Sequence, residues 1–175
     1  IAYDADYFYV SGLLDYTDIK NLRAIGKQRD YDDLSTDWLS LILDTYNDRE
    51  NAVQFSTNPF GLRAEATIKN DLVDDENDRN RSWNTFWDAR AVISDQGWSA
   101  EIRIPFSSLR FQSSEGRTRM GFIVMRWSPA KSELVTFPAI NPKYNSAYWK
   151  PSLSTEIEFE GLKPVKPVYL TPYVI

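Results

Sequence analysis

The sequence predicts an all-β fold, an antiparallel β-sandwich of the jelly-roll kind with one or two short helices. Three observations support this fold class: apolar residues recur with a period of two, turn-forming residues separate the apolar segments, and helical spacing is rare. The chain has 175 residues, which is enough for one domain whose hydrophobic core needs no disulfide or metal ion.

The strands are predicted from alternation and from apolar runs. Segments 62–68, 87–93, 98–104 and 153–159 alternate between apolar and polar residues, as half-buried strands do. Runs 7–14, 38–43 and 120–127 are more continuously apolar and predict more fully buried strands. We expect about eight short strands in the whole chain. Asp95-Gln96-Gly97 predicts a hairpin between 86–93 and 98–104. Short helical turns are expected within 18–25 and at 106–109.

Composition excludes several classes of function. The chain contains neither cysteine nor histidine, which removes thiol nucleophiles, thiolate or imidazole metal sites and the usual general base. Its seven glycines are never two residues apart, so neither a dinucleotide fingerprint nor a P-loop is present. The net charge of −5 argues against a nucleic-acid partner.

Two segments differ in composition from the strands. Residues 70–81 form a polar excursion with five acidic residues, which predicts either a solvated loop or a carboxylate cage for calcium. After residue 160, a Pro- and Lys-containing stretch predicts an extended spacer. We therefore expect a sandwich domain over 1–160, and a linker with the start of a following domain over 161–175. The opening residues resemble the interior of a longer protein.

The aromatic residues suggest a carbohydrate ligand. They make up 14% of the chain, and the C–H face of a sugar ring stacks well on an aromatic side chain. Trp38, Trp87 and Trp98 are in phase with strand cores and are expected to pack inside. The loop at 141–151 is different, because it combines aromatic rings with amide and lysine groups. We predict that its binding residues are Trp149, Asn145, Tyr148 and Tyr144. The alternative is that Trp149 caps the edge of the sandwich, in which case its ring is buried.

A glycoside hydrolase would require a pair of carboxylates. The available acids are Asp44, Asp48, Glu65, Asp88 and Glu101. Glu65 and Glu101 lie in the polar phase of alternating strands and are expected to face solvent. Asp44 and Asp48 flank a tight acidic turn whose capping explains them without catalysis. Hydrolase activity is therefore the third hypothesis, and the predicted function is not enzymatic.

Several motifs resemble the family 9 carbohydrate-binding modules. The resemblance is carried by Asp37-Trp38-Leu39-Ser40-Leu41-Ile42-Leu43-Asp44, by Asn58-Pro59-Phe60-Gly61 and, most specifically, by Gly97-Trp98-Ser99-Ala100-Glu101-Ile102-Arg103-Ile104-Pro105-Phe106. It covers roughly 1–160. The sequence is most similar to a subgroup in Gram-negative bacteria in which the module precedes an outer-membrane β-barrel domain of unknown function. The family's opening strand would precede residue 1.

The resemblance implies a β-sandwich that holds the reducing end of a glycan between two tryptophans and carries structural calcium. Trp149 matches the second tryptophan of this clamp, and Asn145 lies near an accompanying amide, one residue out of register. Leu34 stands near the position of the first tryptophan, and Ser56 stands where the family has a sugar-binding arginine.

The predicted function is non-catalytic glycan binding linked to carbohydrate utilisation. The expected partners are a poly- or oligosaccharide and a C-terminal membrane barrel of the same protein. The resemblance also implies export to the periplasm, the outer membrane or the cell surface. The alternative is a periplasmic or surface domain that serves the barrel in interaction or gating and binds no sugar. The substitutions at Leu34 and Ser56 favour this alternative, and the aromatic loop favours glycan binding.

Overall fold

A computed structural model describes residues 1–25, 29–30, 34–74, 77–143 and 146–164. Within them, eleven strands form two antiparallel sheets, so the predicted all-β sandwich is confirmed. The strands are β1 (Ala2–Tyr3), β2 (Tyr7–Asp15), β3 (Trp38–Asp44), β4 (Ala52–Thr57), β5 (Arg63–Ile68), β6 (Arg79–Asn80), β7 (Asp88–Ile93), β8 (Gly97–Pro105), β9 (Arg117–Ser128), β10 (Glu133–Phe137) and β11 (Thr155–Glu160).

The small sheet has the strand order β1-β2-β8-β7 and one solvated face. Along β8, Trp98, Ala100, Ile102 and Ile104 are buried, and the polar residues between them point outward. The hairpin predicted at Asp95-Gln96-Gly97 joins β7 to β8. Strand β2 also alternates between buried and exposed positions. The prediction of a fully buried strand at 7–14 is therefore wrong, because only one face of this sheet is covered.

The large sheet has the order β10-β9-β3-β4-β5-β6, and β11 pairs with β9 beside β10. All seven residues of the central strand β3 are buried, because both faces of this sheet are covered. Leu41 and Leu43 pack in the core between the sheets. Ile42 lies on the opposite face, in a second apolar cluster that includes Ile123 and Trp149.

Coverage of both faces explains one incorrect prediction. Glu65 is only 3% exposed, although its strand alternates in sequence. Its partner across β4 is Phe55, so Glu65 points toward the sandwich core and not toward solvent. The side chain of Arg29 forms an ion pair with it, which compensates the buried carboxylate. Glu101 is exposed on β8, as expected.

Helical structure is confined to short 3-10 turns in the described part of the chain. The expected turns within 18–25 and at 106–109 occur at Ile19–Asn21 and Phe106–Ser108. Further 3-10 turns form at Asn70–Leu72, Ala147–Trp149 and Pro151–Leu153. None of the described helices is long and apolar enough to cross a membrane.

The predicted domain boundary at residue 160 coincides with the end of β11. Leu162 nevertheless packs into the sandwich core with 5% exposure, and the Gly161 N–H donates to the Gly116 carbonyl. Residues 165–175, where a following domain is expected to begin, lie outside the described residues. The division of the chain into domain and linker stays a prediction.

A pair of glycine substitutions tests the approach of β2 to β8. A Cβ at Gly97 would lie 2.2 Å from the Leu14 carbonyl oxygen, whereas a Cβ at Gly116, with φ of +76°, would meet no atom within 4 Å. We expect Gly116→Ala to lower the free energy of unfolding by about 1–2 kcal/mol through backbone strain. Gly97→Ala should lower the free energy of unfolding by a larger amount, because β2 must move away from β8 to make room for the new Cβ. Urea denaturation measures both, and equal losses would contradict the close approach.

Candidate functional site

The predicted stacking residue Trp149 lies in a covered position. It belongs to the 3-10 turn Ala147–Trp149 and is 8% exposed. Its indole packs against the outer face of the large sheet, near Ile42 and Ile68. The Arg79 guanidinium carbon lies 4.4 Å from the ring centroid, an arrangement typical of a cation–π contact. Arg79 also donates to the Gln54 Oε1 from Nε and Nη2, at 2.9 and 2.7 Å.

These contacts give Trp149 a packing role. The expected exposed indole face is absent, so stacking of a sugar on Trp149 stays a prediction that requires Arg79 to move. Tyr148 is half-buried, and its ring centroid lies 5.2 Å from that of Trp149 at 56°. Tyr144 and Asn145 lie outside the described residues.

The two positions at which the chain departs from the family motif differ in exposure. Leu34 is 69% exposed, and its carbonyl accepts a hydrogen bond from Trp127 Nε1 at 2.7 Å. Ser56 is buried on the outer face of the large sheet, where its Oγ lies 2.7 Å from Ser40 Oγ and accepts from Gln54 Nε2 at 2.7 Å. The hydroxyls and the amide satisfy one another, so this face has a buried polar row in place of a sugar-binding arginine.

A different aromatic framework lies beside the connection between β6 and β7. The connection from β6 to β7 carries Trp83 and Trp87, and both rings pack edge-on against Phe55, with centroid distances of 6.1 and 5.2 Å. Between these two anchors, Asn84 and Phe86 are exposed. Residues 84–86 are thus presented to solvent from a rigid aromatic base.

Two depressions lie on either side of this connection, and Asn84 and Thr85 line both. The first, which we call the aromatic pocket, has a volume of about 440 Å³. Its lining groups are aromatic rings, amides, hydroxyls and one guanidinium, contributed among others by Tyr46, Asn51, Trp83, Asn84, Ser107 and Arg110. Rings together with uncharged hydrogen-bonding groups are the chemistry that a sugar requires.

The second depression, which we call the arginine pocket, has a volume of about 630 Å³. Its lining includes Tyr7, Phe86, Arg29, Arg63, Arg103 and Asp88. Arg103 Nη2 donates to the Asp88 carboxylate at 2.6 Å, and its guanidinium carbon lies 4.9 Å from the Tyr7 ring centroid. The hydrogen bond from Arg103 holds the pKa of Asp88 below its ordinary value. Both volumes fall within the usual range for ligand sites, roughly 300–1,000 Å³.

The carboxylates considered for hydrolysis serve structural contacts. Asp44 accepts from the N–H groups of Asp48 and Arg49 at 3.1 and 2.7 Å, and Asp48 accepts from Glu50 and Asn51 at 2.9 and 2.7 Å. These bonds close the turn between β3 and β4, as the sequence predicted. Among the other three acids, Glu65 and Asp88 are engaged by arginines. The arrangement offers no support for a hydrolase.

The acidic loop at 70–81 does not form a calcium cage from its described carboxylates. Asp71 accepts from Ser152, Asp74 from Asn77, and Asp78 from Asn70. Across the described residues, no three acidic side chains converge on a point that could hold a metal ion. Asp75 and Glu76 lie outside them. Structural calcium, implied by the family resemblance, stays a prediction.

The residues of the two pockets were not among the predicted site residues. Tyr46, Trp83 and Arg110 come from three separate connections, and no motif links them in sequence. One signal was available: Trp83 and Trp87 stand four residues apart in a segment that precedes a strand, and only Trp87 is in strand phase. Trp38, Trp87 and Trp98 are all buried, which confirms their predicted packing roles.

The packing role of Trp149 predicts a stability effect that is independent of any ligand. Trp149→Ala should lower the free energy of unfolding by about 3–5 kcal/mol, because it leaves a cavity beneath Arg79. Phe137→Ala serves as the control, since that ring is 61% exposed; it should change stability by no more than about 0.5 kcal/mol. Urea unfolding provides the measurement. Similar values for both variants would show that the indole is not part of the core.

The turn at Asp44 predicts a pH dependence of stability. Burial raises the pKa of Asp44 above 3.8, although hydrogen bonds from Arg49 and Asp48 oppose the shift. The folded state therefore keeps this proton to a higher pH than the unfolded state does. The contribution of Asp44 to the free energy of unfolding falls as the pH rises from the unfolded pKa through the folded pKa. The free energy of unfolding of the wild type minus that of the Asp44→Asn variant should therefore become more negative as the pH rises.

Asp88→Asn is the matched control, because the pKa of Asp88 is lowered by Arg103. Its contribution is present at high pH and is lost as pH falls through the folded pKa. The two difference curves, measured by chemical denaturation at several pH values, should have opposite signs of slope. The same sign would contradict the assigned environments.

Comparisons with protein-family models and with curated protein sequences find no match. Comparison with solved structures finds a family 9 carbohydrate-binding module from Caldicellulosiruptor kristjanssonii in complex with cellotriose. It is 18% identical, with a TM-score of 0.55, and the alignment covers 97% of this chain and 77% of that chain. A module of the same description in complex with glucose is 19% identical, with the same coverage and a TM-score of 0.54. At this identity, the likeness shows that the chain has the β-sandwich fold of family 9 modules.

Proposed function

We propose that this chain is a non-catalytic carbohydrate-binding module. The observation that carries the proposal is the fold. Over 97% of its length, the chain aligns with family 9 modules whose structures contain cellotriose or glucose. Four of the five carboxylates considered for hydrolysis serve turns or ion pairs, and this supports the non-catalytic assignment. The aromatic pocket adds a surface of suitable chemistry on this chain itself.

The proposed affinity follows from the size of such a surface. Covering about 100 Å² of aromatic ring contributes about 2.5 kcal/mol, and each hydrogen bond to a sugar hydroxyl adds about 1 kcal/mol. After the cost of association, the dissociation constant should lie between about 1 mM and 1 μM. This range suits a module that tethers a protein to a polymer.

Two locations for the site are proposed. One is the loop at 141–151 with Tyr144, Asn145, Tyr148 and Trp149, which is suggested by the composition of the loop and, for Trp149 and Asn145, by the family resemblance. The other is the aromatic pocket, where Tyr46 is 44% exposed. The resemblance also carries proposals about context: export, a position in the periplasm, outer membrane or cell surface, and a C-terminal membrane barrel as partner. A role in interaction or gating without sugar is the rival function.

Calorimetric titration with cellotriose and glucose tests the function. Wild type should release or absorb heat with a dissociation constant in the range given above. Tyr46→Ala should weaken binding at least tenfold if the aromatic pocket is the site, and Tyr148→Ala should do so if the loop is the site. Each change removes one accessible ring, so the two variants are a matched pair.

Phe137→Ala is the control, because this exposed ring belongs to neither location. It should bind like wild type. The absence of heat at millimolar concentrations of cellotriose, glucose and the acidic trisaccharide tri-galacturonate would overturn the proposed function in favour of an interaction domain.

A further inference from the structure

We propose that the aromatic pocket and the arginine pocket together bind an acidic oligosaccharide, a glycan whose sugar rings carry uronic-acid carboxylates. This inference rests on the proposed function and names the ligand class. Because Asn84 and Thr85 line both pockets, the two depressions are neighbours on one surface. A short chain of sugars can therefore occupy one and continue into the other.

Exposed rings in both pockets provide the stacking surfaces. Phe86 is 69% exposed and Tyr46 is 44% exposed, although aromatic side chains of this size usually gain free energy by being buried. The backbone that carries Phe86 is held by two hydrogen bonds. The Phe86 carbonyl accepts from Ser108 Oγ at 2.6 Å, and the Trp87 carbonyl accepts from Arg63. An anchored backbone reduces the conformational entropy that is lost when a sugar covers the ring.

The charge of the lining selects for an anion. Four arginines and a single carboxylate line the two pockets; the arginines are Arg29, Arg63, Arg103 and Arg110. Buried Glu65 and the neighbouring Asp30 both pair with Arg29, and Asp88 is shared by Arg63 and Arg103. These three carboxylates balance three of the four arginines, so one positive charge remains at the two pockets of a protein whose net charge is −5. A local positive field on an acidic protein favours a negatively charged ligand.

Arg110 is the guanidinium best placed to contact a carboxylate. It is exposed at the edge of the aromatic pocket, whose lining contains no acidic residue. No hydrogen bond or ion pair joins its side chain to any residue that the structure describes. A guanidinium matches a carboxylate with two parallel hydrogen bonds, so an unpaired arginine beside exposed rings fits the carboxylate of a uronic acid.

Calorimetry with tri-galacturonate and cellotriose on the whole chain tests the inference. Wild type should bind tri-galacturonate at least tenfold more tightly than cellotriose, and this preference should shrink when salt is raised, because the attraction is screened. Arg110→Gln should weaken the binding of tri-galacturonate at least fivefold more than it weakens the binding of cellotriose, because only the acidic glycan loses a carboxylate–guanidinium pair. Phe86→Ala should weaken the binding of both tri-galacturonate and cellotriose, because it removes a stacking surface.

Arg117→Gln and Phe137→Ala are the matched controls, since they remove an exposed arginine and an exposed ring that line neither pocket. Both should bind like wild type. Monomeric galacturonate and inorganic phosphate form a further arm, and both should bind much more weakly than the trimer. Equal affinity of phosphate and the trimer would reduce the groove to a simple anion site and overturn the inference.

Failure of this inference is distinct from failure of the proposed function. If cellotriose binds, tri-galacturonate shows no preference and Arg110→Gln has no effect, the ligand class is wrong while the binding module stands. If neither glycan nor glucose binds at millimolar concentration, both proposals fail. Circular dichroism and unfolding curves of each variant confirm that its fold is intact.

Discussion

Burial of both faces of the large sheet at its central strands, β3 and β4, is the constraint on which the remaining structure depends. One face of β3 packs against the small sheet through Leu41 and Leu43, and the other lies under the cluster that contains Ile42 and Trp149. Since neither face reaches water, polar residues such as Ser56 must find partners within the protein. Trp149 completes this cover, and the two pockets lie beside the connection from β6 to β7.

Sequence patterns predicted the fold where one face of a strand is solvated. In β8 the apolar and polar residues strictly alternate, and the turn before it is marked by Gly97. Strand β4 was not predicted, because the polar residues Gln54 and Ser56 interrupt the apolar pattern of its sequence. Both are nevertheless buried, since they hydrogen-bond to each other. Strand β10 was missed for the opposite reason: most of its residues are exposed. Alternation reports the exposure of a strand, and it fails where burial is complete or absent.

The candidate site was less predictable, because its geometry depends on contacts between distant residues. The 141–151 loop has the composition of a binding loop, but Arg79 reaches the Trp149 ring from 70 residues earlier in the chain. Glu65 occupies a polar phase, and Arg29 pairs with it in the interior. The pockets combine Tyr46 with Trp83 and Arg110, residues that only the tertiary fold brings together. Local composition indicates a function class, whereas the location of a surface follows from packing.

The pairing of Trp83 and Trp87 on Phe55 separates two tasks that often conflict in small β-proteins. The two indoles hold the connection against the core, and the three residues between them contribute little to it. Replacement of those three by other side chains would alter the lining of the two proposed pockets and leave both tryptophan anchors in place. A very short stretch of chain can therefore vary among relatives while its anchoring on Phe55 is preserved.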